Sequence, residues 1–136
     1  MIETTIEGLI FKYDSLVFDA YGVLLDAQGP CEGAQELVQR MNDEGLGYSI
    51  LTNDASALPG SISDRFRAKG LDIGEERIIA SGMMISGYFT SNGLDGAACA
   101  VLGPKDSVEY VRRAGGDIVG YWEDFDVLLI ADEAGF

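Results

Sequence analysis

The sequence contains no histidine. That absence removes Ser-His-Asp and Cys-His catalysis from this chain, together with every zinc site that needs an imidazole. Cysteine is scarce: Cys31 and Cys99 stand alone, with no CxxC or other zinc-ligand spacing. A disulfide framework is therefore not expected, and reduced thiols in the cytoplasm are the expectation. Positive charge is short as well. Nine lysines and arginines face 23 aspartates and glutamates, for a net charge of −14. Such a balance argues against a nucleic-acid partner, and a phosphorylated ligand would need a cation at its site. No apolar run approaches the ~20 residues of a membrane span, so no membrane partner is expected. The opening MIETTIEGLIFKYD lacks the basic-then-apolar order of a secretory leader. Carboxylates, hydroxyls, lysines and backbone amides are left to carry any chemistry.

What is present is an alternation. Of the 136 residues, 47% are hydrophobic, enough for a real core. SLVFD (15–19), YSILT (48–52), AACAVL (97–102) and DVLLIAD (126–132) are short apolar runs that read as strands, and RIIASG (77–82) as a briefer one. Between them lie helical patterns. Ala34, Leu37, Val38 and Met41 share one helix face, and Ile62 and Phe66 form an inward pair behind Ser61, a candidate N-cap. Ser81 is a candidate cap for a helix over GMMISGYFTSN, closed by Gly93, and Pro104 opens a helix whose inner face includes Val108 and Val111. Met83, Met84, Tyr88 and Phe89 are expected in the core, and Trp122 packed near the last strand. Strand–helix alternation of this kind predicts an α/β fold, a Rossmann-like parallel sheet with flanking helices. SLVFD is expected at the centre of that sheet, with YSILT and AACAVL on either side.

The strand ends locate the chemistry. Ligands of open α/β sheets bind beyond the carboxyl ends of the strands. Asp19 closes the first strand, and Thr52, Asn53 and Asp54 follow the second at the same edge. A carboxylate, a hydroxyl and loop amides suit phosphoryl transfer: the carboxylate attacks phosphorus and the hydroxyl and amides hold the phosphoryl oxygens.

VFDAYGVLLD resembles the first motif of the haloacid dehalogenase superfamily, and SILTNDAS its second. LTNDASALPGSISDRFRAKGLDIGEERIIASG and AVLGPKDSVEYVRRAGGDIV followed by DVLLIADE resemble the class IIA branch, which includes sugar-phosphate and nucleotide phosphatases. The similarity runs from about Leu16 to Glu133. It implies that Asp19 is the nucleophile, that Asp19 and the backbone carbonyl of Tyr21 are magnesium ligands, and that Thr52 and Asn53 bind the phosphoryl group. Gly22 would permit the tight loop after the first strand. The expected partner is a small phosphorylated substrate.

Two departures from the family pattern stand out. Phosphatase members carry an aspartate, the general acid, where this chain has Tyr21. The haloacid dehalogenases themselves carry Asp-x-Tyr-Gly there, so a carbon–halogen hydrolase is the rival reading, and a non-catalytic Rossmann-like fragment a further one. The lysine of the family's third motif and the carboxylates of its fourth have no counterpart in residues 1–136. The chain is accordingly expected to be the N-terminal part of the core domain, lacking the cap and the C-terminal core and inactive alone. Asp132 and Glu133 are read as solvated or as the start of the cap. An incomplete sheet also predicts self-association through its open edge.

Overall fold

A computed structural model describes residues 5–132. Glu133 lies outside the described residues. The chain divides into two compact units, one taking the residues up to Thr52 together with Ile62–Ile79, the other Asn53–Ser61 and the residues from Ala80 onward.

The first unit is built on a three-stranded sheet in the order β1 (Ser15–Asp19), β2 (Gly47–Thr52), β3 (Ile78–Ala80). β1 and β2 run parallel, with Ser15 beside Gly47 and Asp19 beside Leu51. The intervening helix α2 (Ala34–Asp43) buries Ala34, Val38 and Met41, the face that its period predicts, while Leu37 is half-buried. Helix α3 (Pro59–Arg67) crosses the division between the units and buries Ile62 and Phe66. It starts at Pro59, whose fixed φ suits a first helical position, so Ser61 lies inside the helix rather than capping it. A helix not foreseen, α1 (Ile6–Lys12), precedes β1; Thr5 caps it by accepting from the Gly8 N–H at 3.2 Å. Sequence periodicity missed it because it buries no residue. In β2, Tyr48 and Ile50 are buried while Leu51 is exposed. Burial pushes the Tyr48 phenol above its ordinary range, and its hydroxyl donates to Asn42 Oδ1 at 2.8 Å.

The expected centrality of SLVFD is wrong for the described sheet. β2 occupies the middle and β1 an edge, and AACAVL lies in the other unit. Apolar content reports burial of a strand's faces; it carries no information about which strand lies on each edge.

The second unit holds its own three-stranded sheet, ordered β5 (Asp117–Ile118), β4 (Ala98–Leu102), β6 (Val127–Ile130), all parallel. Its core joins Phe89 of α4 (Met84–Asn92), Cys99 of β4 and Val111 of α5 (Lys105–Arg113), with Ile85, Val101 and Leu129 among the side chains packed around them. Pro104 caps α5, and Gly93 ends α4 in the left-handed region at φ 66°. Met83, Met84 and Tyr88 do not join this core: they are 41%, 63% and 63% exposed, and of these four expected core residues Phe89 alone is buried. The run is too uniformly apolar for its period to select a face. Trp122 is also exposed, edge-on to Tyr121 with ring centroids 4.8 Å apart.

Candidate functional site

β1 delivers Asp19 to an exposed position at its carboxyl end, and the chain turns back at once. Asp19 Oδ1 accepts from the Ala20 N–H at 2.8 Å, which fixes the carboxylate against its own turn. The Ala20 carbonyl accepts from Leu24 and Leu25 at 3.0 and 3.2 Å, and the Gly22 N–H donates to the Leu25 carbonyl at 2.7 Å. Leu24, 1% exposed, anchors the turn. Gly22 sits at φ +85° with open space where a Cβ would lie, so glycine is needed here for its backbone freedom rather than for room. Asp26 closes the following turn, its Oδ1 accepting from Gln28 at 2.7 Å and Gly29 at 3.1 Å. The Tyr21 side chain projects outward, 63% exposed.

Thr52 ends β2 one residue beyond Leu51, the register partner of Asp19. Paired strands lie about 4.8 Å apart. Asp19, Tyr21, Gly22 and Thr52 therefore share one edge of one sheet within the first unit. Asn53 opens the second unit, and its carbonyl accepts from the Ser81 hydroxyl at 2.7 Å. Ser81 thus does not cap α4, as its position suggested; it starts a 3-10 turn over Ser81–Met83 and holds the Asn53 peptide. Beyond it, Asp54 Oδ1 accepts from the N–H and the hydroxyl of Ser56 at 2.8 and 2.6 Å.

The donor set suits a hard cation in part. Asp19 Oδ2 makes no hydrogen bond among the described residues, and the Tyr21 carbonyl accepts none of the turn's backbone hydrogen bonds. Magnesium favours oxygen ligands and keeps several waters, so a carboxylate and a carbonyl on one turn form a fitting but partial shell. No group of three or more His, Cys, Asp or Glu residues that could hold a metal occurs among the described residues.

The family model described as haloacid dehalogenase-like hydrolase matches residues 16–117. The chain belongs to this family. Among curated relatives, the dihydroxyacetone phosphatase of Corynebacterium glutamicum is 31% identical over 114 residues, covering 84% of this chain and 41% of the relative. A possible sugar phosphatase of the HAD superfamily from Cytophaga hutchinsonii superposes with a TM-score of 0.84 at 31% identity, over 100% of this chain and 50% of that one. A glycerol phosphate phosphatase from Mycobacterium tuberculosis, solved with calcium, shares the fold at a TM-score of 0.78 and 20% identity, over 92% of this chain and 37% of that one. The same phosphatase has been solved with magnesium. The chain thus spans half or less of the length of these relatives.

The HAD-type turn after β1 was legible as a motif. The side chains that shape the segment after Thr52 were not. Ser81 suggested a helix cap and lay in a stretch of family resemblance, and Asp106, Ser107 and Tyr110 gave no signal beyond their place on a helix within another such stretch.

Proposed function

We propose that the whole protein is a HAD phosphatase of the class IIA type, acting on a small phosphorylated metabolite, and that this chain supplies the N-terminal part of its catalytic core. A cytoplasmic location accords with two unpaired thiols, Cys31 and Cys99. The observation that carries the reading is the exposed Asp19 carboxylate, held on a glycine turn at the carboxyl end of β1, with Thr52 at the end of the adjacent strand.

Asp19 attacks phosphorus through one of its carboxylate oxygens. An acyl phosphate forms, the bond to the leaving oxygen breaks, and water then releases inorganic phosphate and regenerates the carboxylate. The Thr52 hydroxyl and the Asn53 amide hold the phosphoryl oxygens, and their preorganisation favours the charge of the transition state. Asp19 and the Tyr21 carbonyl would hold magnesium, which offsets repulsion between carboxylate and phosphate. The family's remaining carboxylates and lysine are not among residues 1–136, so this chain alone is expected to turn over little or no substrate.

The test is phosphate release from sugar phosphates by the whole protein and its Asp19→Asn variant. Turnover by the native enzyme and its loss in the variant are expected; unchanged turnover in the variant would refute the assignment of Asp19. Tyr21 favours a second reading, attack on carbon with halide release, since that chemistry needs no acid at this position. Halide release from a haloacid without metal, and no phosphate release, would install it.

A further inference from the structure

The segment that follows Thr52 is gripped by side chains from two other parts of the second unit. The Ser81 hydroxyl donates to the Asn53 carbonyl at 2.7 Å. On α5, the Ser107 hydroxyl donates to the Ala55 carbonyl at 3.0 Å and the Tyr110 hydroxyl to the Ala57 carbonyl at 2.9 Å. Asp106 Oδ2 accepts from the Leu58 N–H at 2.9 Å. Ala57 and Leu58 share one planar peptide bond, so α5 holds both its carbonyl and its amide. Ser107 and Tyr110 are buried, at 0% and 6% exposure, where an unpaired hydroxyl would be costly. Gly82 completes the arrangement: a Cβ there would collide with the Tyr110 ring. The Ser-Gly pair at positions 81 and 82 therefore has a physical account. The serine holds one carbonyl of the segment, and the glycine makes room for the tyrosine that holds another.

We infer that Ser81, Asp106, Ser107 and Tyr110 are positioning residues for phosphate binding: they fix the backbone from Asn53 to Leu58 so that the Asn53 amide is already shaped to meet a phosphoryl oxygen. This rests on the reading of Asn53 given above. Fixing the Asn53 carbonyl sets the plane of the peptide that follows the binding amide, and fixing the next carbonyls stops the segment from relaxing. Preorganised donors avoid reorganisation when charge arrives, and small misplacements of such groups are expensive.

The test follows backbone amide resonances of the whole protein, with magnesium present, while inorganic phosphate is titrated, with Ser81→Ala, Ser81→Thr and Tyr110→Phe variants. Tyr110→Phe keeps the ring beside Gly82 and removes only the hydroxyl. Phosphate is expected to shift the Asn53 amide, with its Kd raised ~10-fold in Ser81→Ala and in Tyr110→Phe and restored to within about 2-fold in Ser81→Thr. Hydrogen exchange at Leu58 should quicken in Tyr110→Phe while exchange in β4 stays unchanged, which separates local release from unfolding. Equal phosphate affinity in native protein and variants, with exchange at residues 53–58 accelerated, would overturn the positioning role while leaving the Asn53 reading intact. No response of the Asn53 amide to phosphate in the native protein would overturn that reading, and this inference with it.

Discussion

At the scale of single residues, Tyr21 decides how the proposed chemistry is limited. A phenol is a far weaker acid near neutral pH than a carboxylic acid, so protonation of the leaving oxygen would be the slow step, and a positioned general acid contributes on the order of 10²–10⁴ in rate. Aryl phosphates, whose leaving groups need no proton, should be cleaved far faster by the whole protein than sugar phosphates. Tyr21→Asp should recover much of that gap. The exposed position of Tyr21 leaves room for the shorter side chain, and Gly22 next to it already provides the backbone turn. Phosphate release from both substrate classes by both proteins checks this, and a sugar-phosphate rate unmoved by Tyr21→Asp would contradict it. The metal gives a second residue-level expectation. With only Asp19 Oδ2 and the Tyr21 carbonyl offered by the turn, magnesium should bind this chain weakly, since an octahedral ion draws most of its shell from elsewhere. Calorimetry is the measurement, and micromolar affinity would show that further ligands join the shell.

At the scale of elements, the sequence announced those whose burial has a clear period and hid those whose burial does not. β2 and α2 were visible because Ile50, Val38 and Met41 repeat at strand and helix spacing. The first-motif turn was visible because an acid ending an apolar strand before a glycine is an unusual order. β5 was hidden because two residues, Asp117 and Ile118, are too short to show a period. The inward face of α4 was hidden because the apolar Met83–Phe89 stretch fully buries just Phe89, at its end. The grip on residues 53–58 was hidden because its partners lie 28 to 53 positions away in the chain. Three elements carry a pH signature that only packing could reveal. Burial of Cys99 in β4 raises its thiol pKa, with Asp126 and then Asp117 adding to the rise, and burial raises the phenols of Tyr48 and Tyr110. In each case the neutral form is favoured in the folded state. The stability they contribute is present below the unfolded pKa values, roughly 8.5 for a thiol and 10 for a phenol, and is lost as pH rises through the folded ones. Urea midpoints should therefore fall above about pH 8.5 and again above about pH 10, and Cys99→Ala should remove the first fall alone. A midpoint that stays flat from pH 7 to 11 would contradict it. Cys31, half-exposed, should react with a thiol reagent in the native protein while Cys99 waits for denaturant.

At the scale of the whole molecule, two terms of opposite sign meet. Parallel sheets are ordinarily covered on both faces. The sheet of the first unit keeps Val17, Leu51 and Ile79 at 65%, 51% and 38% exposure, and that of the second keeps Leu128 and Ile130 at 45% and 63%. Full burial of one such side chain is worth about 1.5–3 kcal/mol, so covering these exposed portions would release several kcal/mol. β1 adds an edge whose outer backbone groups pair with no other described strand. Both features favour a second copy, or the further polypeptide that the longer relatives carry. Against this stands a net charge of −14, which makes two copies repel. Apolar contact acts at close range and is little affected by moderate salt. Charge repulsion between exposed groups is screened, with a Debye length of about 8 Å at 0.15 M and about 3 Å at 1 M. The chain on its own should therefore be largely monomeric at low ionic strength and self-associate as salt is added. Val17→Lys, on the open face of the edge strand, should shift that association to higher protein concentration without altering helix content. Light scattering across a salt and concentration series measures both effects. A monomer at every salt concentration would mean that the exposed faces are too small or too separated to bind a copy, and association that weakens with salt would mean that charge pairing, not apolar contact, holds the copies together.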